Sequence, residues 1–341
     1  MKKISPGYIM PSAAYTITKK HVKFYDFMDK QPEVGDVVYG RVTRIGQHSE
    51  LENKSGRIHI INDGSKGIFV FGNRYAPDFY EGFVPEAMQT DVDLIARSGV
   101  VGRITTKNSS IKDPTRVRIL GYVCGDDGTV VNTRNFSLVK PKQLIKKTNR
   151  SKLVLVVGTS MNSGKSTSAV ACCWALSTMG YKVRASKITG TASLKDILYM
   201  QDAGAKVVND FTHFGFPSTY MLDEGDLLHI FNHLDLKFGN NPNNYWVVEI
   251  ADGVLQRETN MLLKSEDVRS RIHRLVFAAH DAFGAVGGID VLKRQFGLVP
   301  DAISGVCSGS PLAIRELSDF TSIPVFNNLE RNLNELSELL L

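Results

Sequence analysis

The stretch KLVLVVGTSMNSGKSTSAVACCWALSTMG, residues 152–180, decides the fold. It opens with an apolar, β-branched run short enough for one buried strand. From Ser166 it reads as a helix that stops at Gly180. Between the two lie a glycine-bounded loop and the tripeptide Gly164-Lys165-Ser166. Strand, loop, Gly-Lys-Ser and helix are the parts of a phosphate-binding loop. The spacing is unusual, because five residues rather than four separate Gly158 from Gly164. A phosphate at this position meets unpaired backbone N–H groups and the positive end of the helix dipole. Lys165 would put a cation on the β- and γ-phosphates, the Ser166 hydroxyl would ligate Mg²⁺, and Thr167 would start the helix beside the α- and β-phosphates. The candidate nucleotide contacts are therefore Gly158, Thr159, Asn162, Ser163, Gly164, Lys165, Ser166 and Thr167. The tripeptide alone is common. Its place between a strand and a helix separates it from a glycine-rich turn with a solvated lysine.

Outward from this loop the chain keeps alternating. YKVRASKITG (181–190) reads as a strand, and helices follow near 194–202 and 224–238. YWVVEIADG (245–253) and RLVFAA (274–279) read as buried strands, the latter followed by a helix near 285–296. DAISGVC (301–307) precedes a helix near 311–319, and IPVF (323–326) precedes the leucine-rich LERNLNELSELLL. Alternation of this kind predicts a parallel sheet covered on both faces, with ligands at the carboxyl ends of its strands. Leu329, Leu333, Leu336 and Leu340 have helical spacing, which suits packing onto that sheet or a dimer seam.

Residues 1 to about 140 have a different grammar. VGDVVYGRVTRIG (34–46), SGRIHIIND (55–63), KGIFVFGN (66–73), GVVGRITT (99–106) and TRVRILGYV (115–123) are short, alternating and bounded by Gly, Asn or Asp. They predict a small mostly-β barrel or sandwich. His48 and His59 suit surface or packing roles there. The aromatic run NRYAPDFYEGFVPE (73–86) reads as a packed loop. The expected organisation is a β-rich domain over 1–140, a basic linker over 141–151 and an α/β P-loop NTPase domain over 152–341.

The net charge is +6, and part of it is local: Gly128 to Lys152 holds Arg134, Lys140, Lys142, Lys146, Lys147, Arg150 and Lys152 with no acidic residue. A solvated linker is the plain reading, and a patch for nucleic acid is the alternative. No apolar run approaches the roughly 20 residues of a membrane span. Cys124, Cys172, Cys173 and Cys307 lack metal-ligand spacing, so the expectation is reduced thiols in a cytoplasmic protein.

The longer loop, G-T-x-x-x-x-G-K-[ST], resembles that of dethiobiotin synthetase and its relatives. GYKVRASKITGTAS (180–193) is similar to the segment of that family that carries a lysine on its second strand, which falls on Lys187. The resemblance implies that Asp196, in ASLKDILYM, reaches the metal. It implies the same for Glu249, in VVEIADGVL, opposite the family's Glu-Gly-Ala-Gly-Gly. Ile250 and Asp252 replace two of those glycines. The whole chain, with its β-rich first half, looks more like a two-domain bacterial group carried as a domain of unknown function. Independently of the family, Glu249 ends an apolar run, where a carboxylate is costly unless paired or bound to a cation. Asp252 faces the same opening and suits a water or a substrate group, and Lys187 suits a phosphate or substrate charge.

Other residues carry less. His229 and His233 share a helix face without a third zinc ligand. His280 and Asp281 follow a strand at the ligand edge. Phe214, Phe216 and Tyr220 could line a pocket or pack a loop. Ser308 and Ser310 could touch a base or cap a helix. The Asn-Lys-x-Asp that selects guanine in many GTPases is absent. The expectation is an enzyme using ATP and Mg²⁺, of kinase or ligase type, with Lys165, Lys187 and Asp252 as catalytic residues and Ser166, Asp196 and Glu249 around the metal. It would act on a small molecule, as a homodimer and away from membranes. The alternatives are a nucleotide switch that controls a partner protein and a nucleic-acid-linked kinase.

Overall fold

The computed structural model describes residues 1–341. Contacts divide them into two units: Met1–Val139 with Gly190–Lys195 and Phe211–Met221, and Lys140–Thr189 with Asp196–Asp210 and Leu222–Leu341. Two segments that the sequence alone places in the second half thus belong to the first unit. Ala192 shows why, because its side chain joins the first unit's core around Ile17, Ile68 and Val100.

The first unit is a barrel. Strands Val37–Arg44, Lys66–Phe71, Val100–Lys107, Asp91–Ala96 and Thr115–Cys124 pair in that order, and the last pairs back to the first. Alternate residues of a strand face opposite sides. Val38, Val42, Phe69, Phe71, Leu94, Val101 and Val117 therefore fill one core cluster. Val37, Tyr39, Ile68 and Val70 pack on the other side with Ala13, Ala14 and Ile17. Gly40 is required inside the ring, since a Cβ there would lie 2.8 Å from Val117 Cγ1. The run over 73–86 is not a plain loop, because it forms the short strands Arg74–Tyr75 and Tyr80–Phe83.

The second unit is a six-stranded parallel sheet. Its strands are β1 (Lys152–Gly158), β2 (Lys182–Lys187), β3 (Val207–Asp210), β4 (Asn244–Glu249), β5 (Ile272–Ala279) and β6 (Ala302–Gly305). They lie in the order β3-β2-β4-β1-β5-β6. The chain leaves β1 toward β2 and leaves β5 toward β6, in opposite directions. The carboxyl end of β1 is thus a topological switch point, where open α/β sheets take ligands.

The helices are α1 (Lys165–Thr178), α2 (Leu194–Asp202), α3 (Glu224–Leu234), α4 (Arg257–Lys264), α5 (Ala282–Phe296), α6 (Pro311–Ser318) and α7 (Leu333–Leu340). On one face, Val154, Val156, Val183, Val247 and Val276 pack with α1 and with Leu336 and Leu340 of α7. On the other, Phe231 of α3 stacks on Trp246 with ring centres 5.5 Å apart. Gly288 of α5 leaves room for the Phe277 ring, which any Cβ would strike.

Several sequence expectations shift. Val207–Asp210 is a strand that the pattern did not signal. IPVF contributes only one parallel bridge, Ile303 to Val325. Pro324 has no N–H to give a ladder. Leu329 lies outside α7 and is exposed, because Asn332 caps that helix through the N–H groups of Asn334 and Glu335. α3 stops at Leu234 and continues as a wider turn over Asp235–Gly239. The basic segment is not wholly solvated: Arg150 pairs with the buried carboxylate of Asp235, which also lies 3.0 Å from Arg271 Nε. All four cysteines are free and buried, and no helix is long and apolar enough to cross a membrane.

Candidate functional site

The loop after β1 absorbs its extra residue in a tight turn. Ser163 N–H donates to Ser160 O at 3.4 Å, and Asn162 takes φ +60°. A turn whose third residue is left-handed favours Gly or Asn there. The loop then closes on glycines. Gly164 has φ +95°, and a Cβ on it would sit 2.8 Å from Gly305 Cα. A Cβ on Gly158 would press against Ala278 O and Lys165 Cγ. Lys165 is only 5% exposed, and its Nζ donates across the loop to Ser160 O at 2.6 Å. Burial pulls its pKa below the usual lysine value, against the carboxylates of Glu249 and Asp252. Ser166 and Thr167 are half-buried in the first turn of α1.

Register sets the neighbouring charges. Lys187 pairs with Glu249 across β2 and β4, and with Asp210 across β2 and β3, so three strands end on one row. Glu249 is 1% exposed. Its Oε1 accepts from Ser166 Oγ at 3.0 Å and lies 3.6 Å from Lys187 Nζ. Its Oε2 is buried with no hydrogen-bond partner, as are Thr159 Oγ1 and Ser163 Oγ in the loop. Lys187 also pairs with Asp196 in the first turn of α2. Burial opposes the charge on Lys187, but Asp196 and Glu249 outweigh it and raise its pKa. Burial likewise lifts the Glu249 pKa, although Lys187 counters it.

The segment after β4 folds back on the loop. Val254 N–H donates to Gly158 O at 2.9 Å, and Thr259 Oγ1 to Ala251 O at 2.8 Å. Thr189 Oγ1 donates to the same carbonyl. Gly253 rests on Thr159 O so closely that a Cβ would collide. These contacts fix Asp252, whose charge favours the protonated forms of both Lys165 and Lys187.

The weaker candidates take structural places. Asp281 caps α5 through Gly284 N–H, and His280 beside it is exposed. His229 and His233 stack with centres 3.9 Å apart, and no group of three metal-ligating side chains forms anywhere in the chain. Ser310 caps α6, and Ser308 Oγ donates to Gly305 O. His48 is half-buried and lies against the Phe79 and Tyr80 rings. In the first unit, Phe216 lies under the Arg134 guanidinium and Tyr220 Oη donates to Glu81 Oε1 at 2.6 Å, so these aromatics pack.

Sequence reasoning missed two features here. Asp210, buried at the end of β3, needed the strand to be seen. A buried set of Ser168, Ser304 and Asn328 lies behind the loop, with Asn328 reaching Gly164 O from 164 residues away. No local pattern signals such a contact.

The strand order, the loop and its buried lysine define an α/β domain of the P-loop kind. Parts of the chain are similar to three solved structures. One is the signal recognition particle receptor FtsY of Elizabethkingia anophelis in complex with GDP, at 14% identity over 60% of this chain and 69% of that one, with a TM-score of 0.34. Another is the chloroplast FtsY of Physcomitrella patens, at 14% over 58% and 68%, with a TM-score of 0.36. The third is a DUF1611 family protein of Anabaena variabilis, at 16% over 58% and 62%, with a TM-score of 0.40. No family model matches the chain, and no curated protein is similar to it. At these identities and scores the similarity assigns neither a family nor a ligand.

Proposed function

We propose that this chain is a Mg²⁺- and ATP-dependent enzyme, similar in type to dethiobiotin synthetase, that passes a phosphoryl group to an oxygen of a small-molecule acceptor. The observation that carries the reading is Glu249. Lys187 and Ser166 both reach Glu249 Oε1, but its Oε2 is buried without a hydrogen-bond partner, and a lone pair so placed is costly unless a further donor or cation meets it. The donors fit Mg²⁺, which prefers hard oxygen ligands and usually takes one or two carboxylates. Ser166 and Glu249 would hold it, and Asp196 would join through its place beside Lys187. The loop fits the phosphates, since Thr159 Oγ1 and Ser163 Oγ are polar and unpaired beside a helix N-terminus.

When bound, Mg²⁺·ATP supplies the transferable phosphoryl group and neutralises part of its charge. The protein's own residues position and stabilise. Lys165 leaves Ser160 O to hold phosphate oxygens. Lys187, kept protonated by its carboxylate neighbours, holds an anionic acceptor or the moving charge. Asp252 orients the acceptor or a water. ATP rather than GTP is our choice because the guanine-selecting motif is absent. The test is incubation with γ-labelled ATP, Mg²⁺ and a metabolite extract. A labelled or ADP-coupled product that needs Lys165 supports the reading. Nucleotide bound but never turned over, with any pool of acceptors, would refute the enzyme.

A further inference from the structure

The backbone N–H groups of a phosphate loop serve only if something aims them. In a trans peptide the N–H and C=O point in opposite directions. Fixing a carbonyl on one side therefore turns the next N–H toward the other. Two consecutive carbonyls of this loop are fixed from behind. Ser163 O accepts from Val306 N–H at 3.1 Å, just past β6. Gly164 O accepts the first helical bond from Ser168 N–H at 2.9 Å, and the Asn328 amide reaches the same oxygen at 3.4 Å.

The second hold is a closed polar set. Asn328 Nδ2 also lies 3.0 Å from Ser168 Oγ, so its two hydrogens serve Gly164 O and Ser168. Ser168 Oγ lies 3.1 Å from Ser304 Oγ, and Ser304 in turn donates to Phe326 O at 3.2 Å. All three side chains are buried. Ser168 Oγ also donates to Gly164 O at 3.0 Å, sharing its one hydrogen between that carbonyl and Ser304, so the Asn328 amide supplies the set with the donors that Ser168 cannot give to both. Gly305 completes the fit, because with φ +102° it lets the strand end approach Ser163 O where a Cβ would collide.

Resting on the nucleotide reading above, we infer that Asn328, Ser304 and Gly305 are positioning residues that aim the N–H groups of Gly164 and Lys165 at the phosphates. They touch no ligand themselves. Their effect falls on the oxygen contacts of the loop, not on the base or the acceptor.

The test compares Asn328→Asp, Asn328→Ala and Ser304→Ala for ADP binding by calorimetry, with thermal unfolding of each. Asn328→Asp keeps the shape but sets a charged carboxylate oxygen against Gly164 O, so the uncharged Asn328→Ala and Ser304→Ala carry the comparison. Aiming predicts that Asn328→Asp is the weakest binder, about a hundredfold below wild type, with Asn328→Ala and Ser304→Ala about tenfold below. Simple packing predicts that Asn328→Ala and Ser304→Ala unfold earlier yet, below their unfolding temperature, bind ADP as wild type does. That outcome overturns the inference. Where Asn328→Ala fails to fold, wild-type binding by Ser304→Ala overturns it instead. A wild-type chain that binds no ADP or ATP overturns the nucleotide reading beneath it, so the two failures are distinct.

Discussion

Glu249→Gln separates a metal ligand from a structural carboxylate, because the two roles move stability in opposite directions. Burial raises the Glu249 pKa above its ordinary 4.5. A group whose folded pKa is raised holds its proton more tightly when folded. Its contribution to stability is full below the unfolded pKa and is lost as pH rises through the folded one. Above its folded pKa and without metal, a charge on Glu249 thus costs stability. The amide should leave the metal-free protein as stable as wild type or more so, since Lys187 keeps Asp196. With Mg²⁺·ATP the effect reverses. Losing one charged contact removes about 1.5–3 kcal/mol, or about 10–150-fold in affinity. At a ligand concentration of about 100 Kd, wild type gains about 2.7 kcal/mol. A hundredfold weaker variant at the same concentration gains about 0.4 kcal/mol. For a domain of this size, 1 kcal/mol moves Tm by about 2–4 °C. The shift on adding Mg²⁺·ATP should fall from about 5–11 °C to about 1–2 °C. Thermal unfolding with and without Mg²⁺·ATP measures both sides. A variant that unfolds earlier alone yet keeps the full shift would show that Glu249 is structural.

Lys165→Ala should abolish ATP turnover while the metal-free Tm stays the same or rises, because burial disfavours the ammonium; turnover assays beside thermal unfolding check it. Asn162→Gly should bind nucleotide as wild type does, whereas Asn162→Val, β-branched at φ +60°, should lose about 1–2 kcal/mol of stability in chemical denaturation. Burial, with the Arg74 charge, lowers the His48 pKa to about 3. Its contribution is therefore full above pH ~6.5 and falls by about 1.4 kcal/mol per unit as pH drops toward 3, so stability should lose about 2 kcal/mol between pH 6.5 and 5, and His48→Gln should flatten that slope. A fragment starting at Ser151 should bind nucleotide poorly or aggregate, because it leaves Gly215 O without Thr133 Oγ1 and Leu194 N–H without Glu52 Oε1; a soluble fragment with full-length affinity would show that both segments fold unaided.

The second unit was legible because parallel strands buried on both faces read as continuous apolar runs. KLVLVVG and YWVVE announce themselves, and glycine or serine marks the start or end of several helices, such as Gly164 and Gly180 around α1 and Ser310 before α6. β3 was not, since Val207–Asp210 is an edge strand with an exposed valine and two polar residues. The barrel was half legible: its long strands alternate cleanly, but Tyr80–Phe83 and Arg74–Tyr75 hide among turn residues. The membership of Gly190–Lys195 and Phe211–Met221 in the first unit had no local mark. It depends on which surface Ala192 meets after the chain has folded.

The site divides along the same line. Everything that local chemistry dictates was visible: a lysine after glycine at a helix start, a carboxylate closing an apolar strand, an aspartate after the next turn. What was hidden is what register and distance create. Lys187, Glu249 and Asp210 share a row only because three strands align, and Asn328 meets Gly164 only because β6 ends beside the loop. The five-residue loop shows why spacing is the weaker half of a motif. A phosphate needs N–H groups aimed at one point and a cation held nearby, and both depend on carbonyl orientation and on left-handed residues. The extra residue is taken up where Asn162, at φ +60°, turns the chain back. By that argument, inserting a residue between Ser160 and Ser163 should matter less than adding a single methyl group at Gly164 or Gly305, where the backbones leave no room for it.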